Sequence, residues 1–254
     1  MTDKNRKPIM AANWKMNNDI AESLKFIAEF NHELKATGDT EVIICPPFTS
    51  LYSVGVALSE LPYMLGGQNI HWEDNGAFTG EISGLFLKEA GCQFVIIGHS
   101  ERRNIFHEDD ECLKDKVRTA QHNELIPIFC VGEKLDEREA SKTWDVIEHQ
   151  LRIGLSSYSP KLTNLVVAYE PIWAIGTGRT ATPEQAEEVH ALIREWLSTA
   201  FDRELSDKTQ ILYGGSVKPS NSRDLIKKPN IDGFLVGGAS LDSKQFADIV
   251  RSSF

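Results

Sequence analysis

Leu165-Val166-Val167-Ala168-Tyr169-Glu170-Pro171 runs into Ile172-Trp173-Ala174-Ile175-Gly176-Thr177-Gly178-Arg179-Thr180-Ala181, and then into Thr182-Pro183-Glu184-Gln185. The first stretch is apolar without alternation, as a strand buried on both faces of a parallel sheet must be. The last opens a helix. Thr182 caps it, Pro183 suits its first position, and Gln185 completes a capping box. Ala186, Val189, Ile193, Trp196, Leu197 and Ala200 then form one apolar stripe. Strand, loop and helix make one β/α unit.

The unit recurs. Eight short apolar runs are spaced so that a helix fits between them: Pro8 to Asn13, Glu41 to Cys45, Tyr63 to Gln68, Phe94 to Gly98, Ile126 to Val131, Leu165 to Glu170, Gln210 to Gly214 and Gly233 to Gly237. A second apolar helix stripe passes through Ile20, Leu24, Ile27, Asn31 and Leu34. Eight parallel strands can close into a barrel or open into a doubly wound sheet. The unusual residues favour a closed (β/α)8 barrel, because they follow the first, fourth, sixth, seventh and eighth strands, and those ends converge on one face of a barrel. The predicted fold class is therefore α/β, a closed barrel of eight parallel strands, with residues 1–254 as one domain. The length of 254 residues suits that fold.

Composition narrows the function. A net charge of −10 offers no long-range positive field for nucleic acid or an anionic membrane surface. An anionic ligand needs local donors instead. Cys45, Cys92, Cys112 and Cys130 lack the close pairs of a zinc or redox motif and read as free buried thiols. Residues Met1 to Lys7 are polar and basic, and the apolar stretch Pro8 to Ala12 is too short for a signal peptide or a membrane span. The expected location is the reducing cytoplasm.

Each strand end carries a candidate. Glu170 taken alone reads as a helix cap or as the partner of an arginine at the rim. The loop after it changes that reading, because its apolar side chains and central glycines suit a lid: a Pro-Ile-Trp hinge and a tip whose N–H groups can approach an anion. His99, after Val95-Ile96-Ile97, precedes a helix start whose dipole disfavours imidazolium, so a neutral ring there could donate to a carbonyl oxygen. A lone His is more often structural. Asn13 and Lys15 share the first strand's end, and by themselves read as a turn former and a solvated cation. In an acidic chain Lys15 is a natural counterion for an anion. Gly214-Gly215-Ser216 and Gly237-Gly238 follow the last two strands, where barrels often bind phosphate.

In these residues the chain resembles the triosephosphate isomerase family, of the bacterial type. The matching strings are Ala12-Asn13-Trp14-Lys15-Met16-Asn17, Gly76-Ala77-Phe78-Thr79-Gly80-Glu81, Ile97-Gly98-His99-Ser100-Glu101-Arg102-Arg103, Ala168 to Ala181, Tyr213-Gly214-Gly215-Ser216-Val217 and Val236-Gly237-Gly238-Ala239-Ser240-Leu241. They follow family order across nearly the whole chain. The resemblance implies interconversion of dihydroxyacetone phosphate and D-glyceraldehyde 3-phosphate through an enediolate, a step of glycolysis and gluconeogenesis. It makes Glu170 the base, His99 the neutral electrophile, and Asn13 and Lys15 the groups that hold and polarise the substrate. Glu101 orients Lys15 or relays protons. Gly176, Ser216, Gly237 and Gly238 bind the phosphate through backbone N–H groups. No cofactor or metal is expected, since Lys15 and His99 supply the electrophile. The resemblance further implies a homodimer, in which Gly76, Ala77, Phe78 and Thr79 dock near Asn13 and Lys15 of a second subunit. His107, where the family commonly has glycine, and Gly67, where alanine is frequent, depart from the pattern.

Two other readings compete. A Schiff-base aldolase needs a desolvated lysine deep on a central strand, and the strand candidates offer none. A barrel that only binds phosphosugars has no use for both Glu170 and His99.

Overall fold

The computed structural model describes residues 6–175 and 180–254. Eight strands alternate with helices: β1 (Ile9–Asn13), β2 (Glu41–Cys45), β3 (Tyr63–Gly67), β4 (Phe94–Ile97), β5 (Ile126–Val131), β6 (Val166–Tyr169), β7 (Gln210–Tyr213) and β8 (Gly233–Val236). They close into a parallel barrel in sequence order, β8 pairing back onto β1. The predicted runs are these strands, five of them (β3, β4, β6, β7 and β8) ending one residue earlier than expected and two (β1 and β6) beginning one later. Among the described residues, no helix is long and apolar enough to cross a membrane.

The unbroken apolar runs are explained by two cores that share each strand. Ile9, Ala11, Ile43, Phe94, Ile96, Ile128, Cys130, Val166, Ala168, Leu212 and Leu235 fill the barrel interior. Their neighbours, among them Met10, Ala12, Val42, Ile44, Val167 and Tyr213, face the surrounding helices. Side chains on a strand alternate in direction, so both sets must be apolar. The same alternation aims the residues just past the strands. Continuing from Ile9 and Ala11, Asn13 points inward, and continuing from Val166 and Ala168, so does Glu170.

The helix Pro183–Ala200 starts as its sequence predicts, with Thr182 Oγ1 accepting from Gln185 N and Gln185 Oε1 accepting from Thr182 N. Ala186, Val189, Ile193 and Leu197 are buried, whereas Ala200 lies exposed at its end. The helix Ile20–Glu33 is turned differently from the expected stripe. Ile20 and Leu24 are 46% and 40% exposed, Asn31 is exposed, and the inward face is Ser23, Phe26, Ile27 and Phe30. Aromatic area decides this rotation. Phe26 packs edge-on to Trp14, and Phe30 lies against Tyr63 and Phe246. Cys112, expected to be buried, is half-buried; Cys45, Cys92 and Cys130 are free and buried.

Both departures from the family pattern have local explanations. His107 adopts φ +56°, the left-handed region in which glycine is unstrained. At Gly67 an added Cβ would meet Leu87 Cδ2 at 2.8 Å, so Leu87 occupies the room that a methyl group needs.

Candidate active site

One cavity of about 350 Å³ opens at the C-terminal ends of the strands, and Asn13, Lys15, His99, Glu170, Ser216, Gly237 and Gly238 all line it. The strand-end candidates therefore meet in one place. Gly176 lies outside the described residues.

Glu170 is 2% exposed. Its Oε1 sits 3.0 Å from His99 Nε2, and its Oε2 accepts from the Ser100 backbone N–H at 2.9 Å. Among the described residues Glu170 has no arginine partner: the carboxylate faces an imidazole across the barrel mouth. Burial alone raises a carboxyl's pKa, but the His99 ring, the Ser100 N–H and Lys15 outweigh it and hold Glu170 below the ordinary carboxylate range. It is held ionised, with both oxygens engaged.

Gly98 takes φ +74° as the chain leaves β4, and His99 becomes the cap of the short helix Ser100–Ile105. The ring's Nδ1 accepts from the Glu101 backbone N–H at 3.2 Å. That bond fixes the tautomer, leaving the proton of a neutral ring on Nε2, pointed at Glu170. Burial lowers the imidazole's pKa and the Glu170 carboxylate raises it, with a net rise while the two are in contact. The helix dipole expected to keep the ring neutral is thus opposed by Glu170 for as long as the carboxylate docks there.

Lys15 has φ +54°, strained for a residue with a side chain. Its surroundings hold it there. Its N–H donates to Asn13 Oδ1 at 3.1 Å, its carbonyl accepts from Gln68 Nε2 at 2.9 Å, and its Nζ pairs with Glu101 Oε1 at 2.6 Å. Gln68 Nε2 also reaches the carbonyl of Cys45 at 2.9 Å, tying the ends of β1, β2 and β3 together.

The chain leaving β6 is anchored by Glu133, whose side chain is fully buried. Its Oε1 accepts from Tyr169 Oη at 3.1 Å and Trp173 Nε1 at 2.9 Å, while its carbonyl accepts from Ile172 N at 3.1 Å. Ile172–Ala174 form a single 3₁₀ turn. The neighbouring Gly132 is packed against the site itself, since a Cβ there would lie 1.8 Å from the Glu170 carbonyl oxygen. Gly132→Ala must push β5 away from the segment that carries Glu170. A drop in kcat of at least about tenfold, with a lowered melting temperature, is expected from steady-state kinetics and thermal unfolding.

Sequence reading did not single out Ser100, Gln68 or Glu133. The signal was available for two of them: Gln68 directly follows β3 and Glu133 follows β5 by two residues, the same strand-end placement that marked the others.

The triosephosphate isomerase family profile matches residues 8–253. A triosephosphate isomerase of Alkaliphilus metalliredigens is 50% identical over 247 residues, 97% of this chain and 99% of the relative. That of Dictyoglomus turgidum is 51% identical over 248 residues, 97% and 100%. That of Aquifex aeolicus is 48% identical over 244 residues, 96% and 98%. A match of this extent, on a closed eight-stranded barrel whose inward strand ends meet in one cavity, places the chain in the triosephosphate isomerase family.

Proposed function

We propose that Glu170, His99, Lys15 and Asn13 carry out the interconversion of dihydroxyacetone phosphate and D-glyceraldehyde 3-phosphate at the mouth of this barrel. The observation that carries the assignment of roles is that a buried Glu170, 3.0 Å from the His99 Nε2 donor, lines the same cavity as Ser216, Gly237 and Gly238. A phosphate held by backbone N–H groups at the glycine end directs the carbonyl toward His99 and Lys15. Gly176, on the family pattern, adds a further donor.

Glu170 removes the proton from the carbon beside the carbonyl. The electron pair of that C–H bond becomes the enediolate double bond, and negative charge grows on the carbonyl oxygen, where His99 Nε2–H and the Lys15 ammonium face it. The former carbonyl oxygen gains a proton as the neighbouring hydroxyl gives its own up, an exchange for which the His99 Nε2–H is the donor at hand, and Glu170 returns its proton to the former carbonyl carbon, so no atom or electron is gained or lost overall. To reach the substrate, the carboxylate leaves His99 and Ser100. The ring thereby loses the main influence that raises its pKa, leaving burial and Lys15 to lower it against the smaller opposing effect of Glu101. The swing of the base leaves His99 a neutral donor. Glu101 orients Lys15, as their 2.6 Å contact supports.

The test is a coupled assay with each triose phosphate in the presence of a chelator. Turnover in both directions is expected, and none in either direction overturns the assignment.

The chain acts as one domain over residues 1–254, in the cytoplasm, as a homodimer. The dimer rests on the family pattern of the loop 76–79, and it is supported by large apolar side chains left exposed: Phe78 is 41% exposed, and Met16, Phe86 and Phe106 are exposed as well. Thr79→Asp puts a charge at the docking loop and is expected to raise the dimer dissociation constant at least about tenfold in sedimentation. A wild-type monomer at micromolar concentration contradicts the dimer.

A further inference from the structure

The wall of the cavity continues past Ser216 to Lys218, with Gln245 at the same rim. Lys218 caps the helix Pro219–Ile226 and is exposed. Its backbone is fixed beside the phosphate end. Its N–H donates to Asn221 Oδ1 at 2.8 Å, and Asn221 Nδ2 donates back to the Ser216 carbonyl at 3.0 Å, so one amide side chain staples the whole turn.

The charges along this wall leave Lys218 with a particular task. Lys15 is compensated by Glu101, and Glu170 adds a buried negative charge. The chain as a whole carries −10. A phosphate dianion approaching the mouth therefore meets repulsion from the protein and little relief from Lys15. Backbone N–H groups carry partial charges and act at contact distance. An unpaired ammonium acts over the screening length, about 8–10 Å at moderate salt. Among the described residues lining the cavity, Lys218 is the one cation with no ion-pair partner.

We propose that Lys218 is a phosphate-binding residue: its ammonium draws the substrate dianion to the cavity and holds it at the end formed by Ser216, Gly237 and Gly238. This rests on the reading of the cavity as a triose phosphate site. The flexible four-carbon stem lets the ammonium follow the phosphate inward from the rim. Its contribution falls on encounter and binding rather than on proton transfer.

The experiment measures kcat/KM for D-glyceraldehyde 3-phosphate across ionic strength, and competitive inhibition by inorganic phosphate, in wild type, Lys218→Gln, Lys218→Arg and Lys161→Gln. Lys161 is exposed, lies outside this cavity and carries the same unit charge, so it controls for net charge. For Lys218→Gln, kcat/KM at low salt is expected to fall about fivefold, the phosphate inhibition constant to rise by a similar factor, and the salt dependence to flatten. Lys218→Arg should recover most of the loss, and Lys161→Gln should match wild type. Wild-type phosphate inhibition and salt dependence in Lys218→Gln overturns the proposal, as does an equal loss in Lys161→Gln. If wild type turns over neither triose phosphate, the reaction assignment fails instead, and calorimetric titration of inorganic phosphate into wild type and Lys218→Gln still decides the role of Lys218.

Discussion

Glu170→Gln is expected to lower kcat by about 10³-fold while leaving the inhibition constant of inorganic phosphate within a few fold of wild type. A positioned base contributes on the order of 10²–10⁴ in rate, and an amide cannot take the proton. The proposed phosphate donors, the backbone N–H groups of Ser216, Gly237 and Gly238, belong to other loops of the cavity lining and keep their places. The variant also makes a prediction about pH. In wild type the Glu170 carboxylate is the largest influence raising the His99 pKa, whereas burial and Lys15 lower it. With the charge gone, the lowering influences remain, so the imidazole should stay neutral down to a lower pH than in wild type, as followed by the ring resonances in an NMR titration. A variant with full kcat removes Glu170 from the role of base. An unchanged His99 titration removes the electrostatic account of the pair.

The second large effect is on stability, at the far end of the barrel. Asp232 is 1% exposed and joins three groups: Arg6 Nε at 2.9 Å, Arg194 Nη2 at 2.6 Å and the Ile211 backbone N–H at 3.0 Å. It closes the weakest seam of the sheet, because β7 and β8 share the single register pair Tyr213 with Phe234. Just below that pair, the Asp232 backbone N–H donates to the Ile211 carbonyl at 2.9 Å, while its carboxylate accepts from Ile211 N. Asp232→Ala leaves two mostly buried guanidinium groups and one backbone N–H without this partner. Removing one member of a buried ion pair typically costs about 3–5 kcal/mol. For a chain of this size that corresponds to a fall in melting temperature on the order of 10 °C. The protein that remains folded should keep near-normal kcat, since the cavity is at the opposite end of the strands. A melting temperature within a degree of wild type contradicts this account, and a loss of kcat at full stability shows that the network reaches the site.

These two residues show what could be read before the structure and what could not. Glu170 was legible because two local patterns coincide on it. It ends an apolar strand, and it precedes a proline and an apolar loop that a surface turn does not need. Asp232 carries no such mark. It stands between Ile231 and Gly233 in an unremarkable turn, and its weight comes from Arg6 and Arg194, which are 226 and 38 residues away. Gln68 and Glu133 stand between these cases. Both follow strand ends, yet a polar residue after a strand is common, and their partners, the Lys15 carbonyl and the Trp173 indole, are 53 and 40 residues away. Helix rotation shows a similar limit. The stripe of Pro183–Ala200 had one solution, whereas Ile20–Glu33 offers apolar residues on two faces, and the choice fell to Phe26 and Phe30 because Trp14 and Phe246 supply aromatic surfaces for them.

By itself the sequence determined the eight strands, the cap of the helix after Thr182 and the set of residues at the strand ends, because continuous apolar runs, capping chemistry and alternation along a strand act within a few residues. Only the tertiary structure decided that Glu170 rests on His99 and Ser100, that Lys15 is already paired with Glu101, and that Lys218 has no ion-pair partner among the described residues at the same cavity. Those outcomes depend on closing the ring, which brings the ends of distant strands within hydrogen-bonding distance and settles which charges meet a partner.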